Sequence, residues 1–324
     1  MNSRERFLEV MRFGKPDRVP YFEEGIRKEV VKVWRKQGLK RGVDIRVLFP
    51  SDRREELEPD VDPIPQITRW PASLHELEAL RKSLDHRDDG RLPADLPVHA
   101  KAGKGRNYPL MLRVHRGFFL SMGVRGWNRF KELIELLIYD PRLVRESMSI
   151  QGEFAAKLAE RIMQMVDVDA VVFSEPIGGN DKPLISPRMY EEFVLSSYEP
   201  VFAVIRKYGV KTIIFRTFAN ARILIPSILK WGFNCLWACE VNIEAMDYGG
   251  LRREFGRDLR LIGGIDLDAL RQGKEAIMRE IVRKVPPLLA DGGYVPLADG
   301  RIREDVPFEN YVYYRRLLED VTQR

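Results

Sequence analysis

A chain of 324 residues, 44% of them apolar, carries enough apolar material for a large core, yet no stretch approaches the ~20 uninterrupted apolar residues of a membrane span. The net charge of +6 and pI of about 9.2 arise from 54 Lys and Arg set against 48 Asp and Glu, with signs alternating along segments such as 252–258 and 274–284. That mixture is the pattern of solvated helix faces rather than the clustered stripe of a nucleic-acid binder, so neither membrane nor nucleic acid is expected as a partner.

The N-terminus, MNSRERFLEVMRFGKPDRVP, is charged from the start and lacks the apolar core of a signal peptide. Two cysteines, Cys235 and Cys239, are too few and too close for a disulfide framework. Both features lead us to expect a cytoplasmic protein.

Short apolar, β-branched runs recur along the chain with helical patterns between them. In order they are 19–22, 43–49, 110–115, 169–175, 211–217, 234–240, 259–265 and 293–298. Amphipathic segments at 143–165, at 187–208 behind a Ser186-Pro187 cap, and at 221–231 before Gly232 fill the intervals. Strand and helix in alternation imply a parallel sheet. No phosphate-binding glycine loop follows the first run, which leads into Glu23-Glu24-Gly25, so a doubly wound open sheet is disfavoured. Eight runs suit a closed barrel. The expected fold is therefore α/β, a single (β/α)8 TIM barrel domain over 1–324.

One stretch breaks the alternation. Residues 51–107 are rich in Pro, Asp and Arg and read as an irregular N-terminal excursion with one helix at 73–83. Its basic end, KAGKGRNYP at 101–109, reads as a surface loop or a gate over an anionic ligand.

In a barrel the reactive groups sit at the C-terminal ends of the strands. Those ends carry Tyr21 and Glu23, His115 and Arg116, Glu175, Arg216, Glu240, Asp266, then Asp299 and Arg301. A ring of carboxylates and guanidiniums suits a small polar or anionic substrate, because arginine grips carboxylates bidentately. Glu175 closes the run DAVVFSE; alternation puts Val171, Phe173 and Glu175 on one face, from which it either projects over the barrel mouth as an acid–base group or pairs with Arg216. Glu240 ends NCLWACE, with Cys235 and Cys239 on the opposite face. Asp266, after Gly263-Gly264-Ile265, binds a ligand or caps the helix that follows. His115 alone of four histidines is placed at a strand end, and no zinc site is recognisable from the spacing of His and Cys.

The motifs RERFLEVMRFGKPDRVP, LISPRMYEEFV, KWGFNCLWACEVNIEAMDYGGLRREFGRDLRLIGGID and GGYVPLADGRIREDVPFENYVYY resemble the uroporphyrinogen decarboxylase superfamily through most of the chain. The resemblance implies a (β/α)8 barrel with its site at the C-terminal mouth, in relatives that are often homodimers. It is closest to the branch of corrinoid-dependent demethylases, whose relatives hold an acidic residue at the place of Glu175 and a glutamate at the place of Glu240. Where related methyltransferases carry zinc ligands, this chain has Arg216, Phe218 and Gly300. Porphyrinogen decarboxylases carry an arginine-rich N-terminal loop; here PYFEEGIRKEV offers only Arg27.

The expectation that follows is a methyltransferase moving a methyl group from a methoxylated or methylated small molecule to a cobalamin cofactor carried by a corrinoid partner protein. Glu175, Glu240 and Arg216 would be its catalytic residues. Tyr21, Glu23, His115, Arg116, Asn220, Asp266, Asp299 and Arg301 would bind substrate. The alternatives are a decarboxylase of a carboxylated, tetrapyrrole-like substrate and a catalytically decayed barrel that binds a metabolite or partner protein.

Overall fold

The computed structural model describes residues 1–239 and 246–323, and the chain divides into two compact units. One comprises Glu55–Arg106 and Leu110–Asn234; the other comprises Met1–Arg54, Asn107–Pro109 and Cys235–Arg324.

In the first unit, strands β1 (Glu55–Leu57), β2 (Leu110–His115), β3 (Ala170–Glu175) and β4 (Thr212–Phe218) lie parallel in sequence order. Parallel neighbours need long crossovers. Here these carry helices Leu77–Ser83 and Leu96–Ala102, then Trp127–Tyr139 and Pro141–Met165, then Pro187–Phe193 and Glu199–Lys207. The longest, Pro141–Met165, starts where its sequence favours it: Pro141 needs no N–H at the first turn, and Asp140 accepts the Leu143 N–H at 3.1 Å. Its apolar positions Leu143, Ile150, Phe154, Leu158 and Ile162 recur at helical spacing and are buried.

Gly152 in that helix is a packing device. A Cβ there would overlap the Ser197 carbonyl, so glycine lets the 3-10 turn Leu195–Tyr198 press against the helix. The same turn interrupts the helix read over 187–208, which stops at Phe193 and restarts at Glu199. Pro200 has no N–H to continue a helical ladder from the preceding turn.

The second unit holds three parallel strands, β5 (Cys235–Cys239), β6 (Arg260–Gly263) and β7 (Tyr294–Val295), extended by a parallel bridge from Ile265 to Ala298. A further parallel bridge joins Ile26 to Ile302. Among its helices, Phe308–Thr322 packs Tyr311 against Trp34 and Phe49, with ring centroids 4.9 and 4.8 Å apart. Burying each such ring contributes roughly 1.5–3 kcal/mol.

The α/β class and the parallel strands agree with the sequence reading, and two of its strands are corrected. Residues 43–49 hold the helical turn Ile45–Leu48, because Asp44 caps it by accepting the Arg46 N–H at 2.9 Å. A strand forms instead at Glu55–Leu57, inside the stretch read as irregular, and that stretch also forms the helix Leu96–Ala102. Residues 19–22 form no strand of a sheet; Asp52 donates its N–H to the Tyr21 carbonyl at 2.9 Å.

Candidate functional site

The two faces of β1–β4 meet different surroundings. On one, Phe173 packs on Tyr198, Phe202 and Phe233, and its register partner Phe215 packs on Tyr190 and Phe233. This is the face covered by helices. Alternation along β3 places Glu175 there too, so the expectation that it projects over a mouth is corrected: Glu175 is fully buried against helix-borne side chains.

The carboxylate is met by three donors. Phe118 N–H reaches Oε1 at 2.8 Å, and the Tyr198 and Tyr190 hydroxyls reach Oε2 at 2.8 and 3.2 Å. Burial pushes Glu175 up to about 7, while these hydrogen bonds to the charged form pull it back. His115 joins the cluster: its Nδ1 accepts the Gly117 N–H at 3.0 Å and lies 3.1 Å from the Tyr198 hydroxyl. With Nδ1 an acceptor, the ring proton sits on Nε2, 3.4 Å from Ser121 Oγ. Burial lowers His115 to about 3, so the ring is neutral at physiological pH. Gly117 is required here, since its φ of 94° and the crowding by Glu175 Oε1 both exclude a side chain.

The other face is mixed: Met111, Val172 and Ile214 on it are fully buried, and polar or charged residues stand among them. Register and alternation put Glu56, Arg113, Ser174 and Arg216 on it, all only partly buried. Arg216 does not pair with Glu175. It spans from β4 to Glu56 on β1 through two hydrogen bonds of 2.8 and 2.7 Å, a bidentate pair. Arg113 pairs with Glu58 at 2.8 Å. Just past β4, Ala219 sits at φ 55°, a conformation that L-residues adopt at a cost of ~1–2 kcal/mol. It turns the chain so that Asn220 can bond the 179–181 loop, donating its N–H to Gly179 O at 2.9 Å and its Nδ2 to Asp181 O at 2.6 Å. Arg116 is ion-paired with Asp62, which also holds Arg125 at 3.2 Å; burial brings Arg116 down to about 10.

In the second unit, Tyr21 and Glu23 turn toward the helix Phe308–Thr322. The Tyr21 hydroxyl lies 2.9 Å from Thr322 Oγ1, and Glu23 Oε1 takes Tyr314 at 3.3 Å and Arg315 at 3.4 Å. Burial pushes Glu23 up to about 7 against the pull of Arg315. Asp266 is the cap of Leu267–Gln272, accepting the Asp268 N–H at 2.7 Å, and buried Asp299 accepts the Leu267 N–H at 3.2 Å. Arg301 and Arg27 are exposed. Glu240 lies outside the described residues. Cys239 donates toward Glu24 at 3.9 Å, Glu24 lies 3.8 Å from Arg54, and the Arg54 guanidinium covers the Trp237 ring at 4.6 Å. Burial raises the Cys235 thiol to about 12.

Of the residues singled out in the sequence, the structure brings Glu175 and His115 together and leaves Arg216 on the opposite face of the sheet. It adds Glu56, Arg113, Glu24 and Arg54. Arg113 was visible as a charge within the apolar run LMLRVH, and Glu24 as the alternate neighbour of Glu23; Glu56 had no signal in a segment read as irregular. No cluster of three or more His, Cys, Asp or Glu able to hold a metal occurs among the described residues. No described helix is long and apolar enough to cross a membrane.

These features define a parallel α/β protein with paired charges grouped on one face of its strands. Residues 57–301, about three-quarters of the chain, match the family model for uroporphyrinogen decarboxylase (URO-D), and the chain belongs to that family. No curated protein matches it.

Proposed function

We propose that this chain is a methyl-transferring member of the family, with the (β/α)8 architecture that the resemblance implies. It would hold a small methoxylated or methylated substrate so that a corrinoid, carried by a partner protein, takes the methyl group. The acidic residues Glu175 and Glu240, at the places where relatives of the corrinoid-dependent branch hold acidic residues, support this reading. The observation that carries the chemistry is the Arg216–Glu56 pair on the face of β1–β4 opposite Glu175.

A reduced corrinoid supplies its own nucleophile when bound, so what it asks of this chain is a held substrate and a stabilised leaving group. The donor set fits that demand. Arg216 is a fixed fork of N–H donors, and Glu56 holds it in one orientation. A leaving oxygen set against the guanidinium gains charge stabilisation without a proton transfer. Glu175, sealed beneath helices, takes no direct part and instead fixes the end of β3, from which Ser174 faces the same side as Arg216. The residues do not fit zinc, since Arg216 and Phe218 stand where ligands would be needed, and no step is routed through it.

The test is anaerobic methyl transfer to reduced cobalamin, followed by its absorbance change, over a panel of methoxylated aromatics and methylated amines. Arg216→Met is expected to lower the rate by about 10²–10³-fold, the usual loss on removing one donor to a developing oxyanion. Arg216→Lys should recover part of it. Turnover by Arg216→Met at the wild-type rate would sink the proposal. Ligand binding without turnover across the panel would leave the metabolite-binding reading in its place.

A further inference from the structure

Within the β1–β4 unit, a cavity of about 760 Å³ lies between residues 66–72 and the segment 123–139. We infer that it is a binding site for a flat aromatic molecule bearing a single negative charge. The volume falls in the range of small-molecule sites, ~300–1,000 Å³.

The apolar wall of the cavity is built in advance. Ile67, Trp70 and Leu136 line it, and all three rest against a buried cluster that includes Leu80, Leu84, Ile150 and Phe154. The indole is confined on two sides. A Cβ on Gly123, at φ 78°, would overlap the ring, so glycine lets backbone and indole touch; the Arg129 guanidinium stands 5.7 Å from the ring centroid. Arg129 is itself fixed, donating Nε to Met122 O at 3.1 Å and Nη1 to Glu132 at 3.2 Å. Trp70 is thus a half-buried plate held in place by its neighbours. A plate of this kind binds flat rings by stacking, with little ordering cost.

Charge on the rim sets the second requirement. Arg69 and Arg125 line the cavity and are largely exposed, with side chains 83% and 58% accessible. Arg69 lies 4.0 Å from Glu76, at the edge of an ion pair, and is free to turn to a ligand. Arg125 shares Asp62 with Arg116, so one carboxylate is divided between two guanidiniums and Arg125 keeps donors to offer. Glu132 and Glu135 lie on the same lining. They disfavour a polyanion. One carboxylate or sulfonate, placed toward Arg69 and Arg125 with the ring over Trp70, satisfies all three features.

The test is titration calorimetry of the full chain with three probes: 2-naphthoate, the neutral 2-naphthamide, and the non-aromatic cyclohexanecarboxylate. The expected order of affinity puts 2-naphthoate first by about tenfold over each control, with ring and charge each contributing. Trp70→Ala and the double change Arg69→Gln, Arg125→Gln should each weaken 2-naphthoate by about tenfold or more, while Trp70→Phe keeps most of the binding. The arginine variants alter exposed side chains and should fold normally, so they decide the matter even if Trp70→Ala does not. No binding of 2-naphthoate by the wild type, equal binding of the amide, or undiminished binding by the arginine variants would each overturn the inference. The readout is independent of methyl transfer.

Discussion

Arg216 on β4 reaches across two intervening strands to Glu56 on β1 and grips both its carboxylate oxygens, at 2.7 and 2.8 Å. Both side chains are little exposed, 13% and 11%, so the pair is shielded enough to matter. A double-mutant cycle with Arg216→Met and Glu56→Gln should give a coupling of about 1–3 kcal/mol in denaturant unfolding. A coupling near zero would mean the two charges are independently solvated.

Glu175 is expected to be structural in its energetics. Glu175→Ala leaves two tyrosine hydroxyls and the Phe118 N–H buried without their acceptor, at about 1–3 kcal/mol for each group stranded. Glu175→Gln keeps one acceptor and lets the hydroxyls rotate to accept from the amide, so its cost should be about 1 kcal/mol or less. Chemical denaturation of both variants separates the two outcomes; equal losses would contradict the network.

The same carboxyl makes stability depend on pH. Its folded pKa of about 7 lies above the ordinary 4.5, so the folded state holds the proton more tightly than the unfolded chain. The stabilisation is fully present below about pH 4.5 and is lost as pH rises through about 7. The slope from this one group is at most ~1.4 kcal/mol per pH unit. Glu23 adds a contribution of the same sign. Glu175→Gln should therefore flatten the fall in stability between pH 5 and 7 without abolishing it, as read from unfolding midpoints across pH.

Arg315 stands against the partly buried Glu23 and also donates to the Pro50 carbonyl at 2.6 Å. Arg315→Met removes the countercharge, and the loss should reach about 3–5 kcal/mol at pH 8, where Glu23 is ionised. At pH 5 Glu23 is protonated, and the loss should be distinctly smaller. A pH-independent loss would assign the effect to packing alone.

Gly152→Ala should cost about 2–3 kcal/mol, because its methyl would force the Ser197 carbonyl outward. The displaced turn carries Tyr198, so tyrosine absorbance or fluorescence should report the change along with the lowered unfolding midpoint. A neutral substitution would show that the helix and the turn are not in close contact.

Much of this organisation was legible along the chain. The runs at 110–115, 169–175 and 211–217 are largely apolar, the last two with β-branched pairs at their centres, and each became a strand within a residue of its ends. Pro141–Met165 was legible from its periodicity, and Asp266 from its position as a capping residue. The strand Glu55–Leu57 was hidden because two of its three residues are glutamates, one of which is consumed by Arg216 from far along the chain. The run 43–49 misled because its apolar residues do not mark a buried strand; Val47 is 79% exposed on a capped helical turn.

The sequence by itself determined the alternating α/β order, the parallel strands and the family, because these rest on local periodicity and on motifs read in line. Which face of β3 meets the helices was decided only by tertiary structure. Alternation groups Val171, Phe173 and Glu175 but is blind to direction; the aromatic packing of Phe173 on Tyr198, Phe202 and Phe233 settles it and carries Glu175 inward with it. The partner of Arg216 was likewise invisible in the sequence. A guanidinium and a carboxylate 160 positions apart become neighbours only when four strands are laid side by side in register.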